Sequence, residues 1–288
     1  MEEAKKEGKE EQKTTKEGEE SEKVEVIKEL KEAEILNLSR QAKLIPEDIN
    51  QYTIKVFGVG SVGSHVAKIL GKTGFKNIEL IDMDEVDSEN ISAQAFDFAH
   101  IGMPKVEAMT KILGDSCGLD YVDVINEEIT PESNIIPLPD TIYCCFFDSF
   151  EARKLLFDKL KGFQVTFIDG RIGLFNMRHY LIDCGDTEEV KKYEATLSHG
   201  KSIELECGEK ATAPINSILA GEIVMNIVNF IKGNDYVFSK IGSGEAPAND
   251  LIIVKKGKKV VEQPIKVEAK TDKTKEIDME GELNAVLL

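Results

Sequence analysis

Basic residues are scarce in this sequence: 36 lysines and arginines face 53 aspartates and glutamates, a formal charge of −17 over 288 residues. A nucleic acid binds largely by giving up counterions to protein cations, so this balance disfavours it and suits a neutral or basic protein partner. Long apolar runs are missing too. The best candidate for a membrane span, 215–231, is interrupted by Asn216, Ser217, Glu222, Asn226 and Asn229, so no stretch supplies the roughly 18 apolar residues that a span requires and no membrane association is expected. No apolar signal core stands at the N-terminus, and export is not expected. The five cysteines, Cys117, Cys144, Cys145, Cys184 and Cys207, form no C-x-x-C pair, and only four histidines accompany them. No structural zinc is therefore expected. An odd count without the spacing of a small secreted scaffold points to a reducing compartment, and a cytoplasmic location follows as the expectation.

What is present is an ordinary globular composition, 41% hydrophobic and 31% charged, flanked by two segments of another kind. Residues 1–23 are almost entirely Glu, Lys, Gly, Thr, Ser and Gln, and residues 266–288 are similar up to their apolar end. Both read as flexible tails with too little apolar surface to offset the entropy of ordering. Between them, over 24–265, strand-like runs alternate with helical spacing. Strands are expected from Thr53, at 77–82, 121–126, 141–147, 164–169 and 174–183, and helices at 24–38, from Ser61, and at 104–113, 150–160 and 214–231. Residues 185–210 read as an irregular crossing loop and 251–263 as a terminal hairpin turning near Gly257. The alternation implies a Rossmann-like α/β fold, a mostly parallel sheet with helices on both faces.

The stretch "VFGVGSVGSHVAKIL" (56–70) sets Gly58, Gly60 and Gly63 in the pattern G-x-G-x-x-G between a strand and a helix. So bare a backbone lets a phosphate approach, and the helix that follows points unpaired N–H groups and its positive end at the same place. Asp82 ends the next strand, at about the offset where a carboxylate grips ribose hydroxyls. These features fit NAD and ATP equally well.

The next residues separate the two. "LIDMDEVDSENISAQAFDFAHIGMPKVEAM" (80–109) carries D-x-D, then E-N-x-x-x-Q, then G-x-P-K. It resembles the ThiF/MoeB-like superfamily that includes the ubiquitin-activating enzymes. "LSRQAKLIPEDINQ" (38–51) is similar to that family's R-Q opening, "CCFFDSFEARK" (144–154) to its D-N-x-x-x-R segment, and "ECGEKATAPINSILAGEIVMNIV" (206–228) to its cysteine loop and closing helix. The resemblance implies an ATP-dependent adenylyltransferase that activates the C-terminal carboxylate of a ubiquitin-like or sulfur-carrier protein and releases pyrophosphate. It further implies that Gly58, Gly60, Gly63, Asp82, Asp84, Asn90 and Lys105 bind the nucleotide, with Lys105 on the phosphates and Asp82 on the ribose. Asp148 would orient Mg²⁺ on the triphosphate. Arg40 would be an arginine finger reaching into a partner subunit's site, so a homodimer is implied, and Cys207 is the candidate thiol acceptor.

This sequence also departs from the family. Where the family reads N-x-x-R-Q, Ala93 stands in place of the arginine. A guanidinium lost beside a triphosphate costs on the order of 1.5–3 kcal/mol per charged hydrogen bond unless another cation takes over. Arg153 and Arg171 are the candidates to do so. Two other readings stay open: a non-catalytic dimeric scaffold that binds a ubiquitin-like partner, and an NAD-dependent oxidoreductase, although none of His65, His100, His179 and His199 stands clearly where a hydride-site base belongs.

Overall fold

Strand β1 (Thr53–Phe57) alternates its side chains, with Ile54 and Val56 buried on one face and Phe57 on the other. A strand buried on both sides belongs in the middle of a covered parallel sheet, and β1 lies there. The computed structural model describes residues 36–119, 121–173, 176–197, 212–243 and 251–257. They form an eight-stranded sheet in the order β3-β2-β1-β4-β5-β6-β7-β8, where β2 is Ile78–Ile81, β3 Asp123–Ile125, β4 Thr141–Cys145, β5 Thr166–Gly173, β6 Asn176–Asp183, β7 Tyr236–Ser243 and β8 Leu251–Lys255. The first five neighbours run parallel and β5 through β8 antiparallel. Helices α1 (Ser61–Thr73), α2 (Lys105–Cys117) and α5 (Ala213–Ile231) cover one face, while α3 (Phe150–Leu160) and α4 (Thr187–Leu197) cover the other. This is the expected Rossmann-like α/β architecture.

Several elements differ from the sequence reading, each for a tertiary reason. Residues 185–210 are not loop throughout, because 187–197 form α4. Asp186 receives the N–H groups of Glu188 and Glu189 at the helix start, and Tyr193 is buried against Phe157 and Phe167. The helix was hidden by its charge, since Glu189 looks like a surface residue yet is 2% exposed, accepting from the Asp183 N–H and paired with Lys255 at 2.7 Å. β8 pairs with β7, an unanticipated strand that covers the open edge of β6, and the second arm of the hairpin expected over 251–263 lies outside the described residues. Strand β5 runs four residues past Asp169, carried on by its antiparallel ladder to β6. Helix α2 continues to Cys117 and closes on left-handed Gly118, and β3 is three residues rather than six. The helix expected at 24–38 is absent from its last three residues, 36–38, which are not helical, and its remainder, the tails, the domain limits at 24 and 265, and His199 lie outside the described residues.

Helix α5 is long and apolar enough to cross a membrane by length and composition. Here Ile215, Leu219, Ile223 and Ile227 are buried in the core shared with α1 and α2. It is a core helix of the fold.

Candidate nucleotide site

The three glycines do three different jobs. Gly58 has φ of +88°, a left-handed conformation, and a Cβ there would lie 2.9 Å from the carbonyl carbon and oxygen of Phe146. Gly63 lets α1 lie on the turn, since its Cβ would sit 1.8 Å from the Gly58 oxygen. Gly60, the residue before α1, caps the helix without any side-chain hydrogen bond, and a Cβ on it would meet nothing within 4 Å. Two glycines are thus spent on packing, and the third leaves open space over the first N–H groups of a helix, where an anion is favoured.

Asp82, at the carboxyl end of β2, braces this turn. One oxygen accepts from the Val59 N–H at 2.6 Å and the other from the Asp84 N–H at 2.9 Å. Burial pushes its pKa up, against the pull of those two N–H groups and of Lys105. A carboxylate has about four lone-pair positions, so acceptor capacity for ribose hydroxyls remains. Asp82→Asn keeps only one acceptor and turns an amide N–H₂ toward a backbone N–H. We expect it to lose about 1–3 kcal/mol of stability, read as a lower denaturation midpoint with unchanged slope in urea.

Lys105 opens α2 and is 6% exposed. A solvated first-turn lysine would be none of these things: its Nζ meets Asp84 Oδ2 at 2.7 Å, and its own N–H donates to the Asp84 carbonyl. An ammonium at the positive end of a helix and out of water is unfavourable without an anion. Asp84, with its side chain half exposed, supplies one from the chain. Two of the three ammonium hydrogens are left for a phosphate.

Asn90 builds a turn: its Oδ1 accepts from the Asp87 N–H at 2.9 Å in a reciprocal cap. The side-chain N–H₂ makes no hydrogen bond among the described residues. Asp148 lies exposed three residues beyond Cys145, whose register partner in β1 is Phe57, so it shares the carboxyl edge with the glycine turn. It does not cap α3; Ser149 does, accepting from the Ala152 N–H at 3.1 Å.

Arg40 is not brought to this site. Its turn docks at the opposite end of α1, where Gln41 donates to the Lys72 carbonyl and Leu38 fills the space beside Gly74. At 1.5 Å per residue, α1 separates that end from Gly60 by roughly 20 Å. Cys207 lies outside the described residues. Nor do Arg153 and Arg171 replace the arginine missing at Ala93. Both are committed to the fully buried Asp169, on the face covered by α3 and α4.

The sequence reading missed the strap over the start of α1. The Ala93 carbonyl accepts from Asn216 Nδ2 at 2.7 Å and from His65 Nε2 at 3.0 Å, while Ser64 Oγ accepts from the Ala95 N–H. His65 therefore carries its proton on Nε2, and burial lowers its pKa. Nothing in the local sequence signals these contacts, because Asn216 lies 123 positions from Ala93.

A glycine turn open at the helix terminus, a carboxylate tied to it and a buried lysine beside it define a Rossmann-like nucleotide-binding protein. The chain belongs to the ThiF family, whose model matches residues 33–273. Among curated relatives it is 32% identical over 126 residues to the NEDD8-activating enzyme E1 catalytic subunit of Arabidopsis thaliana, covering 41% of this chain and 26% of that protein. It is 33% identical over 107 residues to the tRNA threonylcarbamoyladenosine dehydratase of Bacillus subtilis (strain 168), covering 35% of this chain and 37% of that one. The chain thus matches only a quarter to a little over a third of these relatives' length. Among solved structures, Escherichia coli MccB with ATP aligns with a TM-score of 0.54 at 18% identity, over 74% of this chain and 66% of that one. PaaA aligns with a TM-score of 0.53 at 18% identity, over 73% and 65%. These likenesses bear on the fold.

Proposed function

We propose that this protein is an ATP-dependent adenylyltransferase acting on the C-terminal carboxylate of a small ubiquitin-like or sulfur-carrier protein. The observation that carries the reading is the buried Lys105, held by Asp84 beside a helix terminus that Gly60 leaves bare. An attacking carboxylate and a triphosphate repel each other, so a site that joins them must fix cations near the phosphates and hold the partners in line. In the proposed reaction a carboxylate oxygen bonds to the α-phosphorus as pyrophosphate departs. Lys105 takes up the charge developing on the phosphates, Asn90 donates its free amide N–H₂ to them, and Asp82 accepts from the ribose.

Mg²⁺ normally binds through one or two carboxylates plus substrate phosphates. Among the described residues no group of three or more metal-ligating side chains exists, and the exposed Asp148 fits that pattern as a lone protein ligand beside a triphosphate. When bound, the ion would neutralise phosphate charge. Homologues named for NEDD8 activation and for ubiquitin-like modifier activation support the class of protein substrate. Two relatives are named for a tRNA nucleoside; the −17 charge weighs against a polyanionic substrate here. Because Arg40 lies about a helix length from its own turn, the reading takes Arg40 from a second copy and so calls for a homodimer. Cys207 is proposed as a thiol acceptor, and the cytoplasm as the compartment.

Titration calorimetry with Mg·ATP, NAD⁺ and NADH tests the reading. ATP alone is expected to bind, and Lys105→Ala to weaken it about tenfold or more, as for loss of a charge-assisted hydrogen bond. Binding of NAD(H) and not ATP would sink it. A second reading, a scaffold without turnover, is favoured by one observation, Ala93 with no substitute guanidinium; it predicts ATP binding without pyrophosphate–ATP exchange in the presence of any carrier protein.

A further inference from the structure

The carboxyl end of β4 and the middle of β5, where Asp169 stands in register with Cys145, are joined by a buried polar knot. Asp169, with no exposure at all, takes three donors on its two oxygens: Arg153 Nη1, Arg171 Nε at 2.6 Å and Tyr193 Oη at 2.9 Å. Arg153 is itself 3% exposed and donates through Nη2 to the Phe147 carbonyl. Phe147 is the residue before Asp148. The Asp148 carboxylate has no hydrogen bond among the described residues, and the helix cap beyond it is made by Ser149. What fixes the backbone that presents Asp148 is therefore the peptide on its N-terminal side, and a guanidinium grips that peptide. The planar fork of an arginine holds two directions at once, here a carboxylate and a carbonyl, which a lysine's single point of charge does not. A buried ion pair is seldom needed for stability alone, since apolar residues of the same volume serve as well or better. This one stands at the strand end that carries an unpaired functional carboxylate.

We propose that Arg153, oriented by Asp169 and Tyr193, is a positioning residue for Asp148: by holding the Phe147 carbonyl it sets the carboxylate where it meets a divalent cation on a triphosphate. The inference rests on the reading of Asp148 as the Mg²⁺ partner of bound ATP.

The test is ATP affinity of the full chain measured by calorimetry in excess MgCl₂ and again in EDTA, with thermal melting alongside, for wild type, Arg153→Lys, Tyr193→Phe, Asp148→Asn and Asp148→Asn/Arg153→Lys. Arg153→Lys and Tyr193→Phe are expected to match wild type in EDTA but to lose most of the affinity that magnesium adds. Asp148→Asn loses the same gain, and adding Arg153→Lys subtracts nothing more, as for residues acting through one interaction. The proposal is overturned if a folded Arg153→Lys or Tyr193→Phe keeps the full magnesium gain, or weakens ATP equally in EDTA. It is also overturned if Tyr193→Phe, which removes a single hydroxyl, fails to fold, because the knot is then structural. If Asp148→Asn alone keeps the gain, the role of Asp148 itself fails, and that single variant shows it.

Discussion

Alanine at Gly60 should leave folding almost untouched and damage nucleotide binding, whereas alanine at Gly63 should do the reverse. The contrast rests on what each new methyl meets. At Gly60 no atom lies within 4 Å, so the chain itself has nothing to rearrange. Stability is expected to stay within about 1 kcal/mol of wild type. The same open space is where a phosphate would come against the first turn of α1, and a methyl there acts as overpacking, about 1–3 kcal/mol, or roughly five- to 150-fold in affinity. At Gly63 the methyl would stand 1.8 Å from the Gly58 oxygen, a main-chain atom fixed by the turn, whose own N–H donates to the Ile81 carbonyl at 2.8 Å. Relief requires α1 to leave β1, so a loss of about 3 kcal/mol or more is expected. Urea denaturation and ATP calorimetry on the two variants separate the effects. Equal affinity of Gly60→Ala and wild type would remove the phosphate from this turn.

Acid should destabilise the protein through His179, well above the pH at which carboxylates protonate. His179 lies in β6 between Gly170 of β5 and Lys240 of β7, is 2% exposed, and neither ring nitrogen has a hydrogen-bond partner. Burial, and then the charge of Lys240, lower its pKa from 6.5 to about 4. A folded pKa below the unfolded one means the folded state holds the neutral ring. The stability this secures is complete above pH about 6.5 and drains away as pH falls toward 4. The shift corresponds to about 2 kcal/mol lost by pH 5, and to about 3 kcal/mol in all. His179→Leu removes both the titration and the orphaned nitrogens. The variant is expected to be at least as stable as wild type at pH 7 and to fall less steeply between pH 7 and 5 in urea midpoints. Parallel pH profiles for the two proteins would show that His179 is not the group responsible.

How much of this was legible beforehand differs by residue. Gly58, Gly60, Gly63 and Asp82 were readable because turn, helix start and strand end follow one another within 25 positions, and local geometry then brings them together. The pattern did not reveal that two of the glycines serve packing and only one faces open space. Lys105 was placed by spacing, but its burial and its grip on Asp84 were not, since a charged first-turn residue reads as solvated. By sequence Arg153 and Arg171 read as spare cations at strand ends; a carboxylate deep in "TFID" that consumes both has no sequence signature.

The order of strand and helix, the glycine turn and the family were determined by the sequence itself, because each depends on side-chain periodicity or on spacing within a short stretch. Tertiary structure alone decided the pairing of β7 with β6 and β8, the helix hidden in a charged segment, the strap of His65 and Asn216 on the Ala93 carbonyl, and the distance of Arg40 from its own site. Those depend on residues far apart in the chain competing for the same buried donors, acceptors and edges, and such competition is resolved only when the sheet has closed.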